Sequence, residues 1–376
     1  MKLVADWLTA PATCAVMDAL SGNVQTFFVG GSVRNTLLGA PVSDIDIATD
    51  AHPEEVTARA EAAGLKAVPT GLAHGTVTLV AEGVPFEVTT FRRDVETDGR
   101  RAVVAFTDVL EEDAARRDFT MNALYADRWG DVCDPVGGLP DLEARRVRFI
   151  GNAGTRIRED ALRILRFFRF QAWYGQGEAD AAGLSAIAAR AYLLEVLSAE
   201  RITSECIKLL VAPDPTAALA GMANTGVLDR VLPGADLRLL PRLLRAEEEP
   251  DWITRALMIG TECGRLRLST ADEGAIAATE AALMRAEDGV RRALRYGAEA
   301  AHRAAEIEAA ILHRKVPDAV REDIARCGAA EFPLKAADLM PPLSPGPDLG
   351  AALARLREDW IQSGAKLNRA ALLERV

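Results

Sequence analysis

Cysteine and histidine are scarce in this sequence, and their spacing excludes two common kinds of site. The 376 residues include five cysteines and four histidines. No two cysteines form a CxxC pair, which argues against a zinc site and against a disulfide framework. The histidines show no metal-binding spacing either. We therefore expect reduced thiols at all five cysteines, which are Cys14, Cys133, Cys206, Cys263 and Cys327.

Long apolar segments are also absent from the sequence. No segment is long enough and apolar enough to span a bilayer. The N-terminal segment MKLVADWLTA has an early acidic residue and no long apolar run, unlike a signal peptide. Together with the reduced thiols, these features predict a cytoplasmic enzyme without a membrane partner.

An excess of positive charge is missing as well. The 44 lysines and arginines are outnumbered by 55 aspartates and glutamates, so the formal net charge is -11. A protein that grips nucleic acid through a broad basic face usually carries the opposite sign. Any nucleic acid must therefore be held by local arginine clusters, and the charge argues against a high-affinity, non-specific binder.

The pattern of apolar residues changes along the chain and suggests several domains. Residues 1–140 alternate short strand-like runs with turns and helices, which predicts an α+β head with a mixed sheet. From residue 141 onward apolar residues recur every three to four positions, as in helices. We expect an all-α remainder that consists of a neck at 141–212, a body at 213–340 and a tail at 341–376.

Glycines and acidic residues form the sharpest motif, FFVGGSVRNTLLGAPVSDIDIATD, at residues 27–50. We expect a buried strand to end at Gly30 and Gly31 and a helix to follow. Glycines at this place let a phosphate approach the backbone N–H groups of a helix N-terminus. Arg34, one turn into the helix, would add a charged donor. Taken alone, a pair of glycines is a turn far more often than a phosphate site.

Paired carboxylates follow the glycine turn. Asp44 and Asp46 are two residues apart on a predicted strand, so their side chains would share one face. Two adjacent carboxylates repel each other unless a cation lies between them, and Mg²⁺ is the usual solution. Glu87, which alternates with Phe86 and Val88, would add the third carboxylate that a two-metal site needs. The alternatives are a solvated strand face for the aspartates and an ordinary surface position for Glu87.

A second motif, RRDFTMNAL, occupies residues 116–124. The apolar residues after Asp118 predict a short helix. A planar guanidinium at Arg117 and a short acid at Asp118 are suited to gripping a triphosphate and sugar hydroxyls. The alternative is an arginine–aspartate cap at the N-terminus of that helix.

A third cluster, RIREDALRILRFFRF, occupies residues 156–170. As a single helix it has an apolar stripe on one side, with Arg163, Arg166 and Arg169 on the other. Phenylalanines interleaved with these arginines predict a semi-buried basic groove. Asp160 lies one turn before Arg163, and a donor and an acceptor on one rigid helix can match a base edge. The alternative is an amphipathic helix with an ion pair between Asp160 and Arg163.

The ordered set of motifs resembles the class II group of CCA-adding enzymes and poly(A) polymerases, within the polymerase β-type nucleotidyltransferase superfamily. The motifs on which the resemblance rests are GGSVRNTLLG, DID, RRD and EDALR. The resemblance implies that Mg²⁺ is held by Asp44, Asp46 and Glu87, the triphosphate by Gly30, Gly31 and Arg34, the ribose by Arg117, Asp118 and Asn122, the base edge by Asp160 and Arg163, and phosphates by Arg166 and Arg169.

The same resemblance implies CTP and ATP as substrates, tRNA as the partner, a tail that binds tRNA, and no DNA. Asn35 stands where the family usually has aspartate, so the charge at this position is lost. In the helical body, three arginines would meet tRNA phosphates or lie on a solvated helix face. They are Arg291, Arg292 and Arg295.

Two other activities and one other class remain open. A poly(A) polymerase, or a partial enzyme that adds only CC or only A, would have the same head. Poly(A) polymerase relatives tend to carry an arginine-rich segment near residues 70–80, where this chain reads TGLAHGTVTLV. The charged segment at 94–101 predicts a mobile loop, and residues 92–104 look complete, unlike those of CC-adding relatives. A non-catalytic RNA-binding protein is disfavoured by the two retained aspartates.

Overall fold

The computed structural model describes residues 1–71, 75–97, 102–261, 265–340 and 342–376, with side chains except at 94–97 and 102–104. The chain forms two compact units, Met1–Arg201 with Ala217–Arg230, and Ile202–Thr216 with Val231–Val376. The finer division into head, neck, body and tail stays a prediction.

A seven-stranded mixed sheet belongs to the first unit, as the sequence predicts. The strand order is β3-β4-β5-β2-β1-β8-β9, and a separate two-stranded sheet pairs β6 with β7. Strands β2 and β5 are parallel, whereas the other neighbours are antiparallel. The strands are β1 Thr26–Val29, β2 Asp46–Thr49, β3 Lys66–Gly71, β4 Thr76–Ala81, β5 Val84–Thr90, β6 Arg92–Thr97, β7 Ala102–Phe106, β8 Tyr125–Ala126 and β9 Val132–Cys133.

Alternating burial explains why β4 and β5 form where they do. Phe86 and Val88 of β5 are buried and Glu87 between them is exposed, which is the period of two that a strand imposes. The hairpin turns at Glu82 and Gly83, both with positive φ (50° and 80°), as in the tight turns that match strand twist. Residues 82 and 83 therefore form the two-residue turn that joins β4 to β5. The predicted loop at 94–101 is partly wrong, since β6 continues to residue 97, and 98–101 lie outside the described residues.

Helices alternate with the strands along the sequence of the first unit, and the regular structure of the second unit is helical in its described residues. The first unit contains α1 Pro11–Ala19, α2 Gly31–Leu38, α3 Pro53–Ala62, α4 Leu110–Ala115, α5 Leu139–Glu143, α6 Ala153–Glu159, α7 Leu162–Tyr174 and α8 Ala181–Ala188. The division between the units passes through α9 Ala199–Leu210, α10 Thr216–Asn224 and α11 Leu228–Val231. The second unit contains α12 Leu240–Ala246, α13 Trp252–Met258, α14 Thr270–Met284, α15 Gly289–Tyr296, α16 Ala298–Ile311, α17 Asp318–Gly328, α18 Pro347–Gln362 and α19 Arg369–Leu373.

The second unit is held by apolar faces of these helices. One cluster includes Leu294, Ile324, Leu356 and Trp360, all buried.

Among the residues with described positions, no helix is long and apolar enough to cross a membrane. Four of the cysteines are free thiols, whereas Cys263 lies outside the described residues.

Candidate active site

The glycine turn has the strand–turn–helix geometry that the sequence predicts. Strand β1 ends at Val29 and α2 begins at Gly31. Gly30 caps the helix with a φ of 69°, a conformation that favours glycine. A side chain added at Gly30 would point at Asn122 and Arg117, 3.7 and 3.8 Å away. The turn therefore lies directly beside the RRD motif.

Arg34 is buried and bound by protein partners. Its guanidinium donates to the Asn122 Oδ1 atom at 2.7 Å and to the Tyr174 hydroxyl at 2.8 Å. It also lies over the rings of Tyr174 and Phe170, 4.1 and 5.0 Å from their centroids. Burial lowers the pKa of this guanidinium. Arg34 thus ties α2 to the end of α7, and its contact with a triphosphate stays a prediction.

Asn35 uses both halves of its amide. Its Oδ1 accepts two bonds from Arg34, at 3.1 and 2.9 Å, and its Nδ2 donates to the Pro41 carbonyl at 2.7 Å. An aspartate could accept from Arg34 but could not donate to Pro41. The lost charge at position 35 is therefore accompanied by a bond that the usual residue cannot make.

The carboxylates of Asp46 and Glu87 are neighbours because β2 and β5 pair in parallel, with Asp46 opposite Glu87. Burial, and then the charges of Glu87 and Asp44, raise the pKa of the Asp46 carboxyl to about 6, although Arg117 opposes them. The negative charge at Asp46 is therefore poorly compensated by the protein.

Asp44 does not lie on the strand, contrary to the expectation. Strand β2 begins at Asp46, and Asp44 is exposed and accepts a bond from Ser43 Oγ at 2.9 Å. Two neighbours explain the boundary. On one side β1 ends opposite Asp46 because the chain turns at Gly30. On the other, the parallel register would set Pro85 beside Asp44, and proline has no N–H for the ladder.

The donor set suits a divalent cation but is not gathered into a complete metal site. Within residues 1–71, 75–97, 102–261, 265–340 and 342–376, no group of three or more histidine, cysteine, aspartate and glutamate side chains is placed to hold a metal ion. Asp46 and Glu87 nevertheless supply adjacent carboxylate oxygens, the ligands that hard divalent cations prefer. The exposed Asp44 lies close enough to affect the pKa of Asp46.

Arg117 is held by two residues that sequence reasoning missed, Asp113 and Tyr125. Arg117 donates to the Asp113 carboxylate at 3.0 Å and to the Tyr125 hydroxyl at 2.9 Å. That hydroxyl donates to Asp113 at 2.8 Å. Burial alone would raise the pKa of the Asp113 carboxyl, but Arg117, Tyr125 and Arg116 outweigh it and lower the pKa. The i,i+4 spacing of Asp113 and Arg117 was the available signal.

Asp118 is a buried acceptor for four donors. Its Oδ1 accepts from the Phe119 N–H at 2.9 Å and from Asn122 Nδ2 at 3.1 Å, and its Oδ2 accepts two bonds from Arg166. Burial would raise the pKa of the carboxyl, yet Arg166 and these hydrogen bonds lower it. Because Asn122 also accepts from Arg34, one chain of bonds joins α2, the RRD segment and α7.

The predicted helix after Asp118 is wrong. Only one 3₁₀ turn forms, at Thr120–Asn122. Phe119 is extended, with φ -123° and ψ 147°, and pairs with Phe149 in an isolated bridge. Tyr125 then enters β8 of the sheet. Tertiary pairing therefore overrides the helical pattern on both sides of the turn.

The cluster at 156–170 is two helices and not one. Asp160 is extended, with φ -150° and ψ 106°, between α6 and α7. Its carboxylate accepts from the Leu162 N–H at 3.0 Å and from Arg201 at 2.8 Å. An aspartate side chain near the start of a helix often accepts from a backbone N–H in this way, in competition with the helix's own hydrogen bonds. The expected single helix is wrong at this residue.

Arg163 and Asp160 are not paired with each other, so the alternative of an ion pair between them is also wrong. Arg163 binds the Glu159 carboxylate at 2.6 Å and the Arg116 carbonyl at 2.9 Å. Its side chain is 13% exposed, and that of Asp160 is 34% exposed. At the α6–α7 junction, Arg201 therefore fixes the acidic group of Asp160, and Glu159 fixes the basic group of Arg163. The sequence motifs did not point to either partner.

The phenylalanines of α7 belong to the core and not to a basic groove. Phe167 and Phe170 are buried and contact Phe119, with centroids 6.1 and 4.9 Å from its ring. Arg166 binds Asp118, and Arg169 lies 4.8 Å over the Phe170 ring. The buried rings pack beneath the arginine side chains, and this packing explains why phenylalanines alternate with arginines along α7.

The three arginines of α15 in the second unit face acidic partners. Arg292 binds Glu308, Arg295 binds Glu287 and Glu358, and Arg291 binds Asp288. Arg292 is only 4% exposed. The expectation that these arginines meet tRNA phosphates, or lie on a solvated face, does not fit an ion-paired helix.

Two segments of the chain match known families. Residues 26–148 match the Poly A polymerase head domain, and residues 180–239 match the family described as probable RNA and SrmB-binding site of polymerase A. A CCA-adding enzyme of Geobacillus thermodenitrificans is 44% identical over 234 residues, which are 62% of this chain and 54% of that protein. A CCA-adding enzyme of Streptococcus pyogenes serotype M4 is 44% identical over 216 residues, 57% of this chain and 52% of that protein. The chain thus spans about half the length of these curated relatives.

Solved structures extend the likeness to nearly the whole chain. The Bacillus stearothermophilus CCA-adding enzyme in complex with CTP has a TM-score of 0.76 and 29% identity, and covers 99% of this chain and 98% of its own. The Thermotoga maritima CCA-adding enzyme complexed with tRNA has a TM-score of 0.62 at 18% identity, with 96% and 92% coverage, and shares the fold.

Proposed function

The chain belongs to the nucleotidyltransferase family of CCA-adding enzymes and poly(A) polymerases, and we propose that it adds C, C and A to the 3′ end of tRNA from CTP and ATP. The observation that carries the proposal is the juxtaposition of Asp46 with Glu87, on the sheet that also positions the Gly30 turn beside Arg117. Nucleotidyl transfer needs positioned carboxylates, a phosphate-binding turn and cationic side chains, and little else from the protein.

Divalent metal use is general in this family, and for this chain we propose Mg²⁺ held by Asp44, Asp46 and Glu87. The poorly compensated charge of Asp46 and the exposed positions of the other two support this donor set. Bound cations would supply charge neutralisation of the triphosphate and activation of the RNA 3′-hydroxyl. That hydroxyl oxygen bonds to the α-phosphorus, and pyrophosphate leaves.

The remaining side chains position the nucleotide. The Gly30–Gly31 turn lets phosphate approach the backbone. Arg117, Asp118 and Asn122 lie beside that turn and are proposed to contact the ribose. Asp160 and Arg163 offer an acceptor and a donor for the base edge. Their separate anchoring by Arg201 and Glu159 supports a fixed placement for each.

Arg34, Arg166 and Arg169 complete the proposed set at the phosphates. Arg34 and Arg166 already bind Asn122 and Asp118, so they would reach a phosphate only through remaining N–H groups. A cytoplasmic location, with tRNA as partner and no DNA, belongs to the same proposal.

The test is extension of three tRNA transcripts that end before CCA, after C and after CC. Each is incubated with Mg²⁺ and CTP, ATP or both, and products are resolved at single-nucleotide length. We expect growth to CCA and then a halt. A long adenosine tail would identify a poly(A) polymerase, and addition limited to CC or to A would identify a partial enzyme.

Matched variants separate catalysis from folding. Asp46→Asn is expected to reduce extension by at least about 100-fold, since even supporting residues of metal sites cost 10- to 100-fold. Glu61→Gln removes one exposed carboxylate from α3 and should leave extension unchanged. Absence of extension by the wild type, or equal extension by both variants, would refute the catalytic proposal.

A further inference from the structure

A basic pocket of about 240 Å³ lies in the second unit. It is lined by Arg242, Arg245, Ala310, His313, Arg314 and Lys315. Arg242 and Arg245 come from α12, Ala310 comes from the end of α16, and the other basic residues come from the turn after α16. Buried contacts among Leu243, Ala246, Ala309 and Ala310 hold these two helices together beneath the pocket.

Among the described residues, the arginines and the lysine of the basic pocket have no protein partner. In the part of the chain that the structure describes, the side chains of Arg242, Arg245, Arg314 and Lys315 form no hydrogen bond or ion pair. The arginines of α15 in the same unit are paired, as Arg292 is with Glu308. Like charges that share a pocket repel one another, so this arrangement is unfavourable until an anion joins it.

The backbone beneath the basic pocket is held in an unusual conformation. His313 has a φ of 54°, at the position after a helix where glycine is usual. The His313 N–H bonds the Ala310 carbonyl at 3.3 Å and the Arg314 N–H bonds the Ala309 carbonyl at 2.9 Å, the two bonds of a Schellman motif. A side chain in this region costs on the order of 1 kcal/mol. His313 directly precedes Arg314 and Lys315, both of which line the pocket, and strain of this kind clusters at binding sites.

A purely structural role explains only part of the arrangement. Cations near a helix C-terminus stabilise it by about 0.3–1 kcal/mol each, and both α12 and α16 end at the basic pocket. However, two of the last carbonyls of α16, those of Ala310 and Ala309, already accept from the His313 and Arg314 backbone N–H groups. That role also gives no reason for four cations to line one concavity in a chain of net charge -11.

We propose that the basic pocket binds phosphates of the tRNA backbone, without reading its sequence. Phosphodiester charge is complementary to four cations that have no partner among the described residues. RNA affinity that depends on phosphates suits a local basic cluster in a chain of net charge -11. The inference rests on the proposed function for its choice of tRNA. The basic pocket lies outside residues 180–239, which match the RNA-binding family.

The test compares two double variants of equal charge change in the full chain. Arg245→Gln/Arg314→Gln removes two cations of the basic pocket. Arg285→Gln/Arg326→Gln removes two exposed cations of the second unit that pair with Glu287 and Asp323. Binding of a fluorescent tRNA transcript is measured by anisotropy across a KCl series, without nucleotides, and thermal unfolding checks the fold of each variant.

We expect the pocket variant to lower the slope of log Kd against log[salt] by about 2, since each phosphate contact contributes roughly 0.7–0.9. At about 0.15 M salt this corresponds to roughly 10- to 30-fold weaker binding. The Arg285→Gln/Arg326→Gln control should change binding by less than about 2-fold. With saturating tRNA, the pocket variant should extend at the wild-type kcat with a raised KM for tRNA.

Equal effects of the two variants, or an unchanged slope for the pocket variant, would overturn the inference, since only diffuse charge or a small-anion site would then remain. The proposed function fails in a different way. A wild type that never extends tRNA would refute nucleotide addition, whereas a selective loss of tRNA binding in the pocket variant would still support the phosphate site.

Discussion

Replacing Asp118 by alanine tests the bond network that joins α2, the RRD segment and α7. The carboxylate is 6% exposed and accepts from Arg166, Asn122 and the Phe119 N–H. Removing one member of a buried ion pair costs about 3–5 kcal/mol because the other charge is left uncompensated. The Arg166 side chain is 29% exposed, so water relieves part of that penalty and we expect about 3 kcal/mol.

Scanning calorimetry should show this loss as a fall in Tm of roughly 6–12 °C, at 2–4 °C per kcal/mol for a unit of this size. The double variant Asp118→Ala/Arg166→Ala should be less destabilised than the sum of the singles, by about 1–3 kcal/mol. The control is Arg201→Ala, which breaks the more exposed pair with Asp160 and should cost less than about 1 kcal/mol. A Tm fall no larger than that of the control, or additive single effects, would refute the reasoning.

Three further predictions concern the candidate active site. Chelation of divalent cations should abolish tRNA extension and Mg²⁺ should restore it, and full activity in chelator would contradict the proposed role of Asp46 and Glu87. Tyr125→Phe should cost about 1 kcal/mol of stability and raise the KM for CTP, because Arg117 loses a bond of 2.9 Å; an unchanged KM would show that Tyr125 does not position Arg117. Gly30→Ala and Gly64→Ala both force a side chain to positive φ, 69° and 75°, so both should lose about 1–2 kcal/mol in urea unfolding, but only Gly30→Ala should impair extension.

The motif glycines and the strand periodicity could be predicted from the sequence because both depend on local backbone requirements. Gly30 has the positive φ that the turn demands, and Phe86 and Val88 alternate with Glu87 as a half-buried strand requires. The helix break at Asp160 could not be predicted in the same way. It depends on capping by its own carboxylate and on Arg201, 41 residues later in the chain.

The partners of the site residues were also out of reach of sequence patterns. Asp113 of α4 and Tyr125 of β8 both bond Arg117, and only the folded structure brings this helix and this strand together. The pairing of β2 with β5, which sets Asp46 beside Glu87, joins segments about 40 residues apart. The sequence pointed to Glu87 as the third carboxylate, and the sheet register explains why it lies beside Asp46.

Helix α7 determines the separation between two parts of the candidate site. The junction with Asp160 and Arg163 lies at its start, and Tyr174, which bonds Arg34, is its last residue. Its 13 residues correspond to about 20 Å at 1.5 Å per residue. One inserted or deleted residue would shift that span and rotate the far end by about 100°, so Tyr174 would no longer reach α2. We therefore expect natural variants of α7 to differ by substitution and to keep its length.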